Sequence, residues 1–405
     1  MSYRSIHRDP PPMSLMIYGS WLKQGGDDVD ILDTHISEDW RQELKIMLDY
    51  KNYDWIGLTV IIGQFMKNAD EITQFIRKEA PGIPIKWGGV MCSVMPEEIR
   101  REYKPDMMES GGLRELPETD WGLIGDKLTR GQVPYYHMIM SSLGCPFDCS
   151  FCYKQSCGRE IKYRSVESVC AEMDDINARC GGRVFAIGDD NFLTNQKRAI
   201  SILEYCKSKG YYIEECIGHI NNLNDDLIRA MAGVVHIFIF SIESVDPAMQ
   251  VILNKRIKLH EIPDKLARLR SVGIVCNISF MAGLPGETDE ELKANWKYME
   301  YLRNIHPYIR GNCYLWFPLP KTRLTNDCVH TQYQIREYEN ANFWVHDKND
   351  VWGPYFRPHL SRQRYDYLFD WGMRFNETFK YPIGSPPDVI DEVLAGNKPK
   401  LGEAT

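Results

Sequence analysis

The sequence predicts an α/β fold: a shortened Rossmann-like N-terminal domain, then a partial (β/α)6 barrel of the TIM type, then a mainly helical C-terminal cap. Three observations carry this. Apolar, β-rich runs alternate with longer helical patterns, the signature of parallel strands joined by crossover helices. The alternation is short before about residue 107 and long and regular between about 135 and 320. After residue 320 the periodicity gives way to a chain rich in aromatic and charged residues. The expected domains are therefore 1–125, 126–320 and 321–405.

In order, MSLMIYGSWLKQGG reads as an amphipathic helix stopped at Gly25–Gly26, and DVDILDTH as a strand. WRQELKIMLDYKN is helical, WIGLTVII is an apolar strand, and ADEITQFIRKEAPG is a helix closed by Pro81–Gly82. IPIKWGG is a strand ending at Gly88–Gly89, and residues 107–134, with ELPETDW and RGQVP, read as a linker. In the second region YYHMIMSSLG is a strand that runs into a cysteine-rich loop. Helix SVESVCAEMDDINARCG, strand RVFAIGDD, helix NQKRAISILEYCKSKG and strand YYIEECIGHI follow. Asn224 is placed to cap DDLIRAMAG. Strand VVHIFIFSIES leads to DPAMQVILNK and EIPDKLARLRSVG. Strand IVCNISFMAGLPG precedes DEELKANWKYMEYLRNI, where Thr288 and Glu291 have capping-box spacing. YIRGNCYLWFPLP closes the series. The C-terminal segment is expected to lie as helices over the barrel mouth, near which barrel active residues gather.

Composition narrows the classes of function. Apolar residues make up 43% of 405, ample for a large core, and the net charge of −8 argues against a broad nucleic-acid or anionic-membrane surface. No apolar run approaches the ~18 residues of a membrane span. MSYRSIHRDPPP has no apolar signal core, so a cytoplasmic location is expected. There the 12 cysteines are thiols, metal ligands or catalysts rather than disulfides. Nine are scattered: Cys92, Cys157, Cys170, Cys180, Cys206, Cys216, Cys276, Cys313 and Cys328. Each reads as a small buried apolar residue, except Cys157, which lies just past the cysteine motif and lines that loop.

The other three form Cys145-x3-Cys149-x2-Cys152, directly after the first barrel strand. Thiolates are the usual ligands of iron–sulfur clusters. Three of them hold three corners of a cubane and leave the fourth iron open to a small molecule. Structural zinc takes four protein ligands, and no second CxxC follows.

SLGCPFDCSFCY resembles the CxxxCxφC signature of the radical S-adenosylmethionine (SAM) superfamily, with Phe151 at the aromatic position. The resemblance covers residues 138–320 and implies a [4Fe–4S] cluster on Cys145, Cys149 and Cys152. It also implies SAM bound at the open iron and a 5′-deoxyadenosyl radical formed by reductive cleavage. The remaining barrel motifs gain roles from it. Gly188-Asp189-Asp190-Asn191-Phe192 stands where the family binds the SAM amine, though Asp190–Asn191 also reads as a helix cap. Ser241-Ile242-Glu243-Ser244 stands where relatives carry a glutamate near SAM, or caps the barrel rim. Gly283-Leu284-Pro285-Gly286-Glu287-Thr288 resembles the family's GLPGET turn against adenine, and is also ordinary turn chemistry. His219 ends the third strand and either faces SAM or substrate or is structural.

A Rossmann-like domain before such a barrel resembles the class with an N-terminal cobalamin-binding domain. Thr59 and Gly88–Gly89 end strands where that cofactor would lie. The alternative is a scaffold that binds nothing. Asp33-Thr34-His35 lacks the glycine of the cobalt-histidine motif, so no histidine is assigned to cobalt. The resemblance implies a cobalamin-dependent C-methyltransferase acting on an unactivated carbon, with a peptide or protein side chain as substrate, as in enzymes that modify methyl-coenzyme M reductase. Flavodoxin or ferredoxin would donate the electron. The alternatives are a cobalamin-independent radical SAM enzyme cyclising or rearranging a small molecule, and an electron-transfer or interaction protein. The third conflicts with a three-cysteine count, since electron carriers use four thiolates.

Overall fold

The structure is a computed structural model and describes residues 11–110, 115–128, 137–155, 160–328, 335–339 and 359–380. The N-terminal part holds α1 (Met13–Gln24), α2 (Trp40–Tyr50), β1 (Ile56–Thr59), α3 (Gln64–Glu79), β2 (Ile85–Gly88), α4 (Val90–Val94), α5 (Pro96–Glu102) and β3 (Met107–Met108). Its three strands are parallel in the order β1-β2-β3, with Thr59 beside Gly88. The expected strand in DVDILDTH forms no ladder. A strand exists only through its partner's hydrogen bonds, and among the described residues no strand lies beside 28–35 to supply them. Val29 and Ile31 pack on α1 at Gly19 instead.

The second sheet is built from β4 (Met138–Ile139), β7 (Val184–Ile187), β8 (Tyr212–Ile217), β9 (Val235–Glu243), β10 (Val275–Ala282) and β11 (Ile309–Leu315). All pairs are parallel and neighbours follow in chain order, so the six strands curve into an open half-barrel. The crossover helices are α6 (Val166–Cys180), α7 (Gln196–Lys209), α8 (Asp225–Met231), α9 (Pro247–Leu253), α10 (Ile262–Ser271) and α11 (Asp289–Ile305). Asn224 caps α8 by accepting from Leu227 N, and the Thr288–Glu291 capping box opens α11. Between β4 and α6 the chain leaves the barrel: β5 (Ser142–Leu143) pairs antiparallel with β6 (Lys162–Tyr163). After β11 come α12 (Arg323–Cys328) and α13 (Arg362–Phe379).

The C-terminal region is helical as expected, but α13 does not lie across the mouth. It runs along β11, whose free edge would otherwise expose unpaired backbone groups. Asn376 answers that edge with one amide: its Oδ1 accepts from Cys313 N at 2.6 Å and its Nδ2 donates to Cys313 O at 3.1 Å. Trp371, Phe375 and Phe379 pack on Trp296 of α11.

Packing crosses the boundaries expected from sequence. Met13 and Met16 of α1, with Trp121 and Ile124, join the barrel core. Ile335 and Tyr338 join the N-terminal core, where Gly63 N donates to Tyr338 O at 2.9 Å. Among the described residues no helix is long and apolar enough to cross a membrane.

Candidate active site

The cysteine loop starts where the barrel's first strand breaks. The amides of Ser141 and Ser142 turn away from the ladder to Asp189 Oδ1, at 2.6 and 2.9 Å. Both serine hydroxyls donate to Asp189 Oδ2, each at 2.6 Å. Those four donors fill the carboxylate's acceptor sites. Asp189 is fully buried, and burial pushes its pKa up against the pull of the donors. The residue expected to meet the SAM amine is therefore spent on the strand break. Arg198 reinforces the break from Ser141 O at 2.7 Å and Arg164 O at 2.8 Å, while Arg164 pairs with Glu172 in a buried ion pair. Gly188 beside it makes room for sulfur: a Cβ there would lie 2.6 Å from Met140 Sδ and 2.8 Å from Met138 Sδ.

Asp190 ties the two ends of the loop together. Its Oδ2 accepts from Gly144 N at 2.9 Å, immediately before Cys145, and from Lys154 Nζ at 2.8 Å, just after Cys152. Gly144 has φ +101°, and a Cβ on it would sit 2.4 Å from Glu160 O, so only glycine passes this corner. The middle of the loop is pinned from outside. Ser150 N donates to Leu253 O at 2.9 Å, Asn254 Nδ2 to Asp148 O at 2.6 Å, and Leu324 N to Ser150 O at 2.8 Å. Phe151 packs with Met249, Leu253, Leu284, Trp316 and Leu324. Cys149 is buried, Cys145 and Cys152 are half-buried, and burial pushes the Cys149 thiol up to about 11.

His219 supports this loop. Its ring stacks on Phe147 with centroids 3.9 Å apart and planes 14° apart. Nδ1 accepts from Asn221 N at 3.3 Å, so Nε2 carries the proton and donates to Lys255 O at 3.3 Å. Burial, then the charge of Lys255, holds its pKa near 4. Both nitrogens of this neutral imidazole are engaged within the protein, and its ring forms a platform under Phe147.

Glu243 ends β9 with φ +68°, a strained conformation for a residue with a side chain. A register shift between Ser279 and Phe280 brings it opposite Phe280. Its Oε1 meets Lys255 Nζ at 3.2 Å, and the same ammonium donates to Ser241 Oγ at 2.6 Å and lies 5.7 Å from the Phe151 ring centre. Burial opposes the charge on Lys255, but Glu243 and the thiols of Cys149 and Cys152 raise its pKa. Sequence reading missed Lys255. Its one signal was a lysine closing an otherwise apolar helix, DPAMQVILNK.

In the GLPGET turn, Gly283 (φ +76°) donates its amide to Glu287 Oε2 at 2.6 Å, and Gly283 O takes His359 Nε2 at 2.8 Å. Burial pushes the Glu287 carboxyl up to about 8. Pro285 is half-buried at the turn's tip. Asn191 accepts from His219 N with Oδ1 at 3.2 Å, while its buried Nδ2 has no partner among the described residues.

In the N-terminal sheet, Gly89 (φ +96°) has no room for a side chain, because a Cβ would be 2.8 Å from both Val60 N and Val60 O. Gly88 is open by comparison, its nearest neighbour being Glu109 Cβ at 3.6 Å. Ser14 Oγ lies 3.4 Å from Thr59 Oγ1, and Ile61 and Phe65 stand exposed beyond the end of β1. The edge is thus low in profile at Gly88–Gly89 and apolar beside it, a surface that fits a broad, flat, partly apolar group. In the Asp33–His35 turn the backbone amide of His35 donates to Asp33 Oδ1 at 3.0 Å.

Cys157 lies outside the described residues. Of the other scattered cysteines, Cys92, Cys170, Cys206, Cys216, Cys276 and Cys313 are buried. A single tetrahedral ion with bonds of about 2.3 Å would gather sulfurs to within about 4 Å of one another. Among the described residues no group of three His, Cys, Asp or Glu side chains is placed to hold one ion. The three loop thiols are soft donors on one pinned hairpin beside a buried ammonium, a donor set that fits the corners of a larger iron–sulfur cubane.

Residues 139–295 match the Radical SAM superfamily, and residues 3–110 match the B12 binding domain. Over 209 residues the chain is 32% identical to an uncharacterized methyltransferase of Pyrococcus horikoshii, covering 51% of this chain and 45% of that protein. It is 25% identical over 239 residues to the anaerobic magnesium-protoporphyrin IX monomethyl ester cyclase of Cereibacter sphaeroides, covering 56% and 37%. The chain thus spans less than half the length of these two relatives. Its fold resembles that of the radical SAM methyltransferase TsrM from Kitasatospora setae, solved with cobalamin and a [4Fe–4S] cluster, with TM-score 0.67, 16% identity, and coverage of 79% and 75%. The cysteine hairpin at the head of a six-stranded half-barrel, and the three-stranded parallel sheet before it, are the two parts these comparisons match. The chain thus carries a segment matching the B12 binding domain ahead of one matching the Radical SAM superfamily.

Proposed function

We propose that this protein is a cobalamin-dependent radical SAM methyltransferase that methylates an unactivated carbon. The observation that carries the reading is the loop of Cys145, Cys149 and Cys152, cinched at both ends by Asp190 at the head of the half-barrel. When bound, the cluster supplies the electron that cleaves SAM, and cobalamin supplies the methyl carrier.

The chain's own residues do the rest. The three thiolates would hold the cluster, Asp190 and Lys154 set the loop's span, and Phe147 on His219 fixes its floor. The ammonium of Lys255 sits among the thiols and Glu243, where it stabilises thiolate charge. The SAM side is formed by Phe151, Gly188, Asp190, Glu243 and the turn of Gly283 and Pro285. The unpartnered Nδ2 of Asn191 adds a donor at the end of β7. Thr59, Gly88 and Gly89 form the low edge that would hold cobalamin. The domains divide near residues 125 and 320, with α1 and 335–339 each lent to the other part's core.

The substrate is a peptide or protein side chain, for which a six-stranded sheet with β4 and β11 unpaired to each other leaves the barrel unclosed. A flavodoxin or ferredoxin in the cytoplasm supplies electrons. A second reading is a cobalamin-independent cyclisation or redox step on a small molecule, and the likeness to a cyclase supports its reaction class alone.

Anaerobic reconstitution with iron, sulfide and hydroxocobalamin tests the proposal. Cobalamin absorbance that survives gel filtration, with 5′-deoxyadenosine formed from SAM, is expected. A cluster without retained corrinoid favours the second reading. Cys149→Ala should abolish SAM cleavage and Cys206→Ala should spare it; equal losses would mean the cluster is not on this loop.

A further inference from the structure

The inner face of the half-barrel has a direction that can be read strand by strand. On β11, Ile309, Cys313 and Leu315 join the helix-side core, and a Cβ on Gly311 would lie 2.9 Å from Met299 Cε and from Phe379 Cβ. Alternate residues face the other way, so Arg310, Asn312 and Tyr314 line the concave side. On β10, Cys276, Ile278, Phe280 and Ala282 are buried against the helices, which leaves Asn277 and Ser279 on the concave side. Register then aligns the rows: Ser241, Ser279 and Asn312 stand side by side, and one row along, Ile239, Asn277 and Arg310 do the same.

Arg310 is unbalanced in this wall. Its Nε is buried without a partner, and no hydrogen bond or ion pair joins its guanidinium to any described residue. A guanidinium is always charged and presents a planar fork of donors, so leaving one partly desolvated without an anion is costly. Polar groups surround it. Asn312 Nδ2 donates to Asn277 Oδ1 at 2.6 Å, which holds the two amides in fixed orientation and leaves Asn277 Nδ2 free to donate. The residues of this strip are half-buried, so they can be reached from the concave side. At its far end Ser241 Oγ takes Lys255 Nζ at 2.6 Å, beside Glu243 and the cysteine loop.

We infer that Arg310, with Asn277 and Asn312, is the anchor for a carboxylate on the substrate. This rests on the reading of the half-barrel as the reaction chamber and names the substrate class: an acid of about amino-acid or dipeptide length, free or as a peptide terminus or acidic side chain. The size follows from strand spacing. Ser241 and Arg310 lie two strands apart and two residues out of level, about 12 Å at roughly 4.8 Å per strand and 3.3 Å per residue. A molecule whose carboxylate rests on Arg310 therefore presents a carbon near the Lys255 and cysteine side. A carboxylate is preferred over a point-charge anion because the guanidinium fork matches its two oxygens in one plane.

The test is isothermal titration of the anaerobic, cluster-loaded full chain with SAM present. The probes are N-acetyl amino acids, each against its own primary amide, with inorganic phosphate as a separate arm. At least one acid should bind tenfold or more tightly than its amide. That preference should vanish in Arg310→Gln and return in part in Arg310→Lys, which keeps the charge and loses the fork. Iron content and melting temperature of both variants confirm that they fold. If no acid outranks its amide, or the preference persists in Arg310→Gln, the inference is wrong. Phosphate binding tenfold more tightly than every acid overturns it in favour of a phosphorylated substrate. Because only binding is read, a failed methyl transfer with the acid preference intact sinks the proposed function alone, and the converse result sinks the anchor alone.

Discussion

Glu287→Gln isolates one buried carboxyl in the GLPGET turn. In the wild type Oε2 accepts from Gly283 N at 2.6 Å, and Oε1 is buried with no partner among the described residues. Burial raises the pKa from 4.5 to about 8. The folded protein therefore keeps a proton that the unfolded chain has released across that interval. Stability from this group is fully present below pH 4.5 and is lost as pH rises through about 8. At about 1.4 kcal/mol per pH unit the loss is on the order of 3–5 kcal/mol. Glutamine keeps a carbonyl oxygen for Gly283 N and cannot ionise. The two proteins should melt alike near pH 5, and the variant should lead by several degrees or more at pH 8.5. Glu172 and Asp189 also have raised pKa values, so the quantity to read is the difference between variant and wild type at each pH. A difference that stays constant from pH 5 to 8.5 would refute the argument.

Further outcomes follow from the same geometry. Gly144→Ala places a methyl 2.4 Å from Glu160 O at φ +101°, so it should cost several kcal/mol and lower iron and sulfide content after reconstitution. Lys255→Met strands Glu243 as an unpaired buried charge at about 3–5 kcal/mol, and the double variant with Glu243→Gln should recover most of it in a denaturant-melt cycle. His219→Phe should keep cluster retention because it preserves the stack on Phe147, whereas His219→Ala should weaken it; equal retention in both would deny the platform role. Gly89→Ala, blocked by Val60 backbone at 2.8 Å, should lower corrinoid retention without changing iron content.

How much was legible beforehand depended on whether a feature was local. The crossover helices and barrel strands emerged close to their expected bounds because periodicity and caps such as Asn224 and Thr288 act within a few residues. The DVDILDTH strand failed because β structure requires a neighbour, and an extended pattern says nothing about whether one is present. YYHMIMSSLG was split for a related reason: Asp189, 47 and 48 positions away from the two serines, takes their amides. Asp189 and Asp190 are adjacent in sequence and indistinguishable there, yet one is sealed in the core and the other bridges the loop ends.

The sequence by itself determined the alternation of strands and helices, the spacing of three thiols, and hence the resemblance to the radical SAM superfamily. These follow from short-range periodicity and motif spacing, which are written along the chain. Only the tertiary structure decided which carboxylates are spent on the scaffold, that Lys255 stands near the thiols, and that Arg310 has no ion pair among the described residues. Those facts depend on which side chains meet across strands tens of residues apart, and on the burial that sets the cost of each charge.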